Sequence, residues 1–313
     1  MFKFKTPSKE TLNIMSEIAK GNIDDDFESK TIEMIKCLTT KQHAKITSSG
    51  NNSIFVALNN IEGDIIIPDE GGWHGFKQIA RFLNKNIITL KTDTGLINTD
   101  YLKDLDIANN SALIFTSFAG YTAEQNIKEI TKFCKNNGII TIEDASAGIG
   151  DDKLGKNSDI ILASTGSPKI INVGYGGFIA CDDDELFKKS SLPIKLSKTS
   201  KIICGGIYSE LQNVKKNLKL SLNTTMHLKK HIPNTIHSSK RGINVIIPHD
   251  NAKEISWKLK KSLTTDKHSM ITTCPNYNRV KQKAICVEIK NLDYSCLKKE
   301  KIDIIINEIN NLL

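Results

Sequence analysis

A chain of 313 residues, 39% hydrophobic and 25% charged, is long enough for one large domain and a smaller one, and none of its apolar runs approaches the roughly 20 residues of a membrane helix. The net charge of +8 invites a nucleic-acid reading, but of 43 basic residues all but Arg81, Arg241 and Arg279 are lysines spread along the chain, and a polyanion site is marked by the distribution of charge, so no nucleic-acid partner is expected. Seven cysteines with no CxxC pair exclude a zinc or disulfide framework, so no metal is expected; the start, Met-Phe-Lys-Phe-Lys-Thr-Pro-Ser-Lys-Glu, lacks the apolar core of a secretory signal, so a cytoplasmic location is.

In chain order, Ala44-Lys-Ile46 leads into a Ser-Gly loop, and a helical segment Asn52–Leu58 follows. Asp64–Ile67 reads as a short strand and Gly75–Leu83 as a helix. Strands recur at Ile87–Leu90, Ala112–Phe115, Ile139–Ile142 and Asp159–Leu162, and Ala123–Asn137 places Ile127, Ile130, Phe133 and Cys134 on one helical face. A strand Phe178–Cys181 ends in the acidic run Asp182-Asp-Asp-Glu185, a turn and helix start. The lysine-rich stretch from Ser209 to His231 has helical spacing and bridges to a last domain. There a strand Ile243–Ile247, a helix Asn251–Leu263, strands near Met270–Thr273 and Ala284–Ile289, and a terminal helix carrying Ile302, Ile305, Ile306, Ile309 and Leu312 are expected. Alternating strands and helices imply an α/β architecture with a mostly parallel sheet covered on both faces. The division expected is a large domain over 1–235, whose N-terminal segment is free to pack on the other, and a small α+β domain over 236–313.

Chemistry concentrates at two strand ends. Asp144 closes the apolar run Gly138-Ile-Ile-Thr-Ile-Glu-Asp144, and Lys169 follows the run Ala163-Ser-Thr-Gly-Ser-Pro168. A lysine amine condenses with an aldehyde as a Schiff base, and an ionised carboxylate keeps a pyridine nitrogen protonated, so the pair suits pyridoxal phosphate. Ser164, the turn Gly174-Tyr-Gly-Gly177 and the stretch Ser48-Ser-Gly-Asn-Asn-Ser53 strengthen that assignment. Ser49, Gly50, Asn51 and Asn52 stand before a helix whose free amides and dipole favour a phosphate, and the Ser164 hydroxyl suits the same group. In parallel sheets ligands collect at the carboxyl ends of strands, where Asp144 and Ser164 fall.

This set resembles the DegT/DnrJ/EryC1/StrS family of sugar aminotransferases, within the fold type I superfamily of pyridoxal phosphate enzymes. The resemblance rests on Ser49-Gly50-Asn51-Asn52, on Gly63-Asp-Ile-Ile-Ile-Pro68, on Glu143-Asp144-Ala145, and on Ser164, Lys169 and Gly174-x-Gly176-Gly177. It implies a three-layer fold type I transferase with a small C-terminal domain, and an enzyme that moves an amino group from an amino-acid donor to a sugar or other small carbonyl acceptor, with Lys169 as the catalytic lysine. It further implies a homodimer in which each subunit completes the phosphate pocket of the other. Where relatives carry an aromatic stretch that stacks on the cofactor, this chain has Asp69-Glu-Gly-Gly-Trp-His-Gly75, so either Trp73 or His74 takes that place. Their Gln three residues after the pyridine-binding Asp corresponds to Ala147, for which Ser146 compensates.

With arginine so scarce, Arg241 and Arg279 become the candidates to grip a substrate carboxylate. Two other functions stay open at this point. One is β-replacement or elimination on an aminoacyl or phospho-amino-acid substrate, and the other is cofactor binding without turnover.

Overall fold

The structure, a computed structural model, describes residues 1–276 and 279–313. Tyr277 and Asn278, within the turn-rich stretch expected before Arg279, lie outside the described residues.

Seven strands form the central sheet: β1 (His43–Thr47), β2 (Ile65–Pro68), β3 (Ile87–Leu90), β4 (Ala112–Thr116), β5 (Ile140–Asp144), β6 (Ile160–Ser164) and β7 (Gly177–Cys181). Their order is β1-β7-β6-β5-β4-β2-β3, and the pairings from β6 through β3 are parallel, while β7 runs antiparallel to both its neighbours. The sequences dictate this placement. Side chains alternate between faces along a strand: Ile66, Leu113, Phe115, Ile161 and Ala163 enter one core, and Ile65, Ile67, Ile114, Ile142 and Leu162 the other. Strands apolar on both faces must be covered on both, as parallel sheets are.

Among the described residues, nine helices of eight or more residues surround the strands; α1 (Lys9–Ala19) and α2 (Phe27–Thr39) precede the first strand and were not legible as periodic segments. After them come α3 (Gly50–Asn59), α4 (Gly75–Phe82) and α5 (Ile127–Asn136), close to the expected spans except that Ala123–Glu124 pairs with Phe118–Ala119 as a two-stranded ribbon instead of opening α5. The single helix expected from Ser209 to His231 is two, α6 (Lys201–Leu211) and α7 (Val214–His231). Glycines at 205 and 206 let α6 approach its neighbours: a Cβ at Gly205 would lie 2.2 Å from Ile18 of α1, and one at Gly206 2.7 Å from Val173.

A second sheet, β8 (Val245–Pro248), β9 (Ile271–Cys274) and β10 (Ala284–Val287), is antiparallel in the order β8-β10-β9. Helices α8 (Ala252–Ser262) and α9 (Lys299–Asn310) pack on it, and its core draws in Leu228 and Ile232 from the end of α7 and Phe2 from the amino terminus. The N-terminal segment is tied there by bridges Phe2–Thr265 and Phe4–Leu292. No helix among the described residues is long and apolar enough to cross a membrane.

Near the end of α7, Lys229 is buried and its ammonium donates to three backbone carbonyls, Thr122 at 2.6 Å, His237 at 2.9 Å and Lys240 at 2.9 Å. Burial holds its pKa down to about 8. The residue pins the turn after β4 to the segment that leads into β8. Lys229→Met, which keeps the aliphatic stem, strands three acceptors, so urea denaturation is expected to show a loss of about 3 kcal/mol; an unchanged midpoint would refute this role.

Candidate active site

The carboxyl ends of β2, β4, β5 and β6 lie along one edge of the sheet, and the site forms there. Ser49, in extended conformation, caps α3 by accepting from the Asn52 amide at 3.2 Å. This leaves the first turn of a ten-residue helix pressed on the end of β6. A Cβ on Gly50 would lie 2.6 Å from that of Ser164, and one on Gly177 would lie 2.7 Å from the Gly50 nitrogen, so both positions need glycine. The Ser164 hydroxyl accepts from the Gly166 amide at 3.2 Å. Helix amides, a serine hydroxyl and a loop amide together make a cradle for an anion.

Beside the cradle, the adjacent carboxylates Glu143 and Asp144 part company, because successive residues of a strand face opposite ways. Glu143 points into the core, where Ser117, Ser158 and the Gly155 amide donate to it; burial pushes its pKa up. Asp144 faces the site, its carboxylate held by the Ser146 amide at 3.0 Å and by the Ser146 hydroxyl. That hydroxyl in turn accepts from the Ser164 amide at 2.8 Å, so Ser146 ties the ends of β5 and β6 together.

A cavity of about 190 Å³ occupies this edge. Ser49, Gly50 and Asn51 line one side, Asp144, Ser146 and Ser164 another, and Lys169 and Trp73 the rest. The Trp73 indole donates to the Asn51 side chain at 3.0 Å. Ile54, Tyr121, Leu162, Gly166 and Ser167 also line it and were not singled out from sequence. Of these, Tyr121 carried a signal: an aromatic after glycine just past the carboxyl end of a parallel strand, where ligands gather. The Lys169 amine donates to the Tyr121 hydroxyl at 2.7 Å. Burial disfavours its charged form, but Tyr121 and the charge of Asp144 outweigh that and the opposing Arg279, so its pKa lies above the ordinary lysine value.

Four candidate residues are not among those lining the cavity. Asn52 lies in the first turn of α3, its side chain donating to the Ser48 hydroxyl, and His74 stands at the start of α4 with its ring 4.1 Å from that of Trp73. Arg241 is bound to Asp151 at 2.9 and 3.3 Å and to Glu124 at 2.5 Å. Arg279, 5% exposed, is ion-paired with Glu288 and reaches Thr272 at 3.3 Å. Both arginines sit in ion pairs within the chain, because a guanidinium withdrawn from water requires a carboxylate partner.

Pyridoxal phosphate fits this donor set. The glycine-lined cradle matches a phosphate, and one amine and one carboxylate face the same small cavity. Among the described residues, no cluster of three or more His, Cys, Asp or Glu side chains could hold a metal.

Comparisons with known proteins follow the geometry. The model of the DegT/DnrJ/EryC1/StrS aminotransferase family matches residues 8–200, and that of the MJ1341 family C-terminal domain matches residues 215–310. No curated protein matches the chain. Among solved structures it is similar to a putative sugar aminotransferase from Streptococcus pneumoniae in its PMP form, with a TM-score of 0.79 at 9% identity over 100% of this chain and 98% of that one. It is also similar to a DegT/DnrJ/EryC1/StrS aminotransferase from Brucella abortus, with a TM-score of 0.74 at 13% identity over 96% and 95%. A sphingosine-1-phosphate lyase from Burkholderia pseudomallei scores 0.79 at 12% identity over 99% and 84%. At such identities the likeness to solved structures is one of fold.

The Glu288 carboxylate, 1% exposed, also meets Lys290 at 3.2 Å and receives bonds from Thr272 and Asn244. Burial alone would raise its pKa, but Lys290, Arg279 and Thr272 outweigh it and hold the carboxyl down to about 2, against an ordinary 4.5. A depressed carboxyl adds stability that is fully present above its unfolded-state pKa and is lost as pH falls toward its folded one. Glu288 is accordingly expected to contribute about 3 kcal/mol near neutrality. That contribution should fade between pH 4.5 and 2. Glu288→Gln should flatten the acid limb of a stability-against-pH curve, and an unaltered limb would contradict the assignment.

Proposed function

The chain belongs to the DegT/DnrJ/EryC1/StrS aminotransferase family and is a pyridoxal phosphate-dependent aminotransferase; on that premise we propose that it moves an amino group from an amino acid to a sugar or other small carbonyl compound, with Lys169 as the lysine that carries the cofactor. The observation that carries this reading is the single cavity shared by Lys169, Asp144 and the first turn of α3. Pyridoxal phosphate supplies an aldehyde carbon and a ring that accepts electrons from the Cα of a bound amino acid.

The chain's own residues do the rest. The cradle of Gly50, Asn51 and Ser164 would hold the phosphate, and Asp144 would hold the protonated ring nitrogen, its orientation fixed by Ser146. Trp73, anchored through Asn51, would cover the ring. Lys169 would hold its amine beside the reacting carbon and would move the proton there, so attachment and base action would come from one side chain. A pair of such subunits, each completing the other's site, is the assembly this reading calls for, and a symmetric dimer is the commonest arrangement of soluble chains; sedimentation should give a dimer, and an active monomer would refute it.

The purified protein should absorb in the visible and yield, on borohydride reduction, an adduct that maps to Lys169. Lys169→Ala should lose that adduct. Mixing with a panel of amino acids should bleach the visible band with release of the matching keto acid. An adduct on another lysine, or ammonia and a dehydrated product in place of a keto acid, would overturn the proposal. Gly50→Ala, whose methyl group would meet Ser164, should cost at least about tenfold in cofactor affinity, an amount equal to losing roughly one charge-assisted hydrogen bond to the phosphate; equilibrium titration with pyridoxal phosphate measures it.

A further inference from the structure

Tyr121 follows β4 in the turn Phe118-Ala-Gly-Tyr-Thr122 and takes a φ of 61°, in the left-handed region that bulky side chains rarely adopt. The surroundings fix it there. Its amide donates to the Phe118 carbonyl at 3.1 Å, and its own carbonyl accepts from the amides of Ile243 at 2.8 Å and Asn244 at 3.0 Å, at the start of the second sheet unit. The neighbouring Gly120 amide donates to the Gly71 carbonyl at 2.7 Å. From that unit Lys290 brings its ammonium to 5.4 Å and Arg279 its guanidinium to 5.8 Å from the centre of the Tyr121 ring. The hydroxyl, at the far end, receives the Lys169 amine.

We propose that Tyr121 is a positioning residue for the reaction: its hydroxyl aims the Lys169 amine into the cavity and holds it in the protonated state until the cofactor or a substrate takes its place. The inference rests on Lys169 being the cofactor lysine. A phenyl ring would fill the same space between the two sheets, so the hydroxyl is not required for packing. Among the described residues, its hydrogen-bond partner is the reacting nitrogen. An oxygen that accepts from an ammonium stabilises the charged form and gives the flexible lysine chain a single direction. The charged groups around the amine come from three elements: Asp144 from β5, Tyr121 from the turn after β4, and Arg279 with its counter-ion Glu288 from the second sheet unit, where Lys290 also answers Glu288. Burial and Arg279 disfavour the charged amine, and Tyr121 and Asp144 favour it. Because the same residue is clamped to Ile243 and Asn244, the lysine is referenced to both parts of the molecule.

The test uses the cofactor-free full chain and compares it with Tyr121→Phe. Formaldehyde and cyanoborohydride methylate neutral amines, and peptide mass spectrometry reads the rate at Lys169 as a function of pH. Removing the acceptor should lower the midpoint of the Lys169 profile by about one unit, the shift that loss of a bond to a charged group produces. Profiles of the other lysines should coincide in the two proteins, and circular dichroism should show the same fold and melting behaviour. A coincident Lys169 midpoint in wild type and Tyr121→Phe would overturn the proposal. The borohydride adduct of the wild type with pyridoxal phosphate tests the underlying reading separately: an adduct on a lysine other than 169 removes that reading, whereas an adduct on Lys169 with an unmoved midpoint removes the role of Tyr121 alone.

Discussion

The site depends on one contact, the first turn of α3 laid directly on the end of β6. Gly50 and Ser164 meet so closely there that a methyl group would not fit between them, and Gly177 on β7 closes the same junction from below. That approach aims the free amides of the helix at a hydroxyl on a strand end, and the dipole adds positive potential where an anion belongs. From Ser164 the rest follows by short steps. Its amide binds Ser146, Ser146 binds Asp144, and the chain beyond Ser164 turns back to deliver Lys169 into the same cavity. A larger residue at position 50 would separate helix from strand and disperse all of these groups.

A second organising feature is how the molecule disposes of charge between its two sheets. Arg279 and Lys290 share the buried carboxylate of Glu288, Arg241 is gripped by Asp151 and Glu124, and Lys281 pairs with Asp69 beside the Trp73 loop. Each pair links a residue beyond the long helix α7 to one of its own sheet unit or of the central one. Removing one member of a buried pair is costly because the other is left desolvated. The Arg241 and Lys281 pairs cross between the two units and hold the second one against the edge that carries the site, while the Glu288 cluster binds the second unit internally. They also leave Lys169 and Asp144 as the charged groups that face the cavity itself.

Tyr121 stands where these two features meet. Its backbone belongs to the edge of the central sheet, its carbonyl is bonded to the start of the second unit, and its hydroxyl reaches the lysine. A residue in this position makes the direction of the amine depend on the packing of both units.

The sheet and the cofactor class were legible from sequence because they are written in local signals. Runs such as Ile65-Ile-Ile-Pro68 and Ile160-Ile-Leu-Ala-Ser164, short and bounded by turn residues, read as buried strands, and a Ser-Gly turn before a helix offers free amides to an anion. Helices α1 and α2 were not legible, since their apolar faces are short and gain definition only by packing on α6. The arginines show the same limit from the other side. Composition singles out Arg241 and Arg279 as rare, yet nothing local says that each will find a carboxylate of its own chain, Asp151 or Glu288, far away in sequence. What the sequence by itself determined was which short segments could bind a phosphate, an amine-reactive aldehyde and a ring nitrogen; which charges face the cavity and which cancel each other, and that Tyr121 meets Lys169, only the tertiary structure decided, because those pairings are made by side chains that come together solely when the two sheets close on one another.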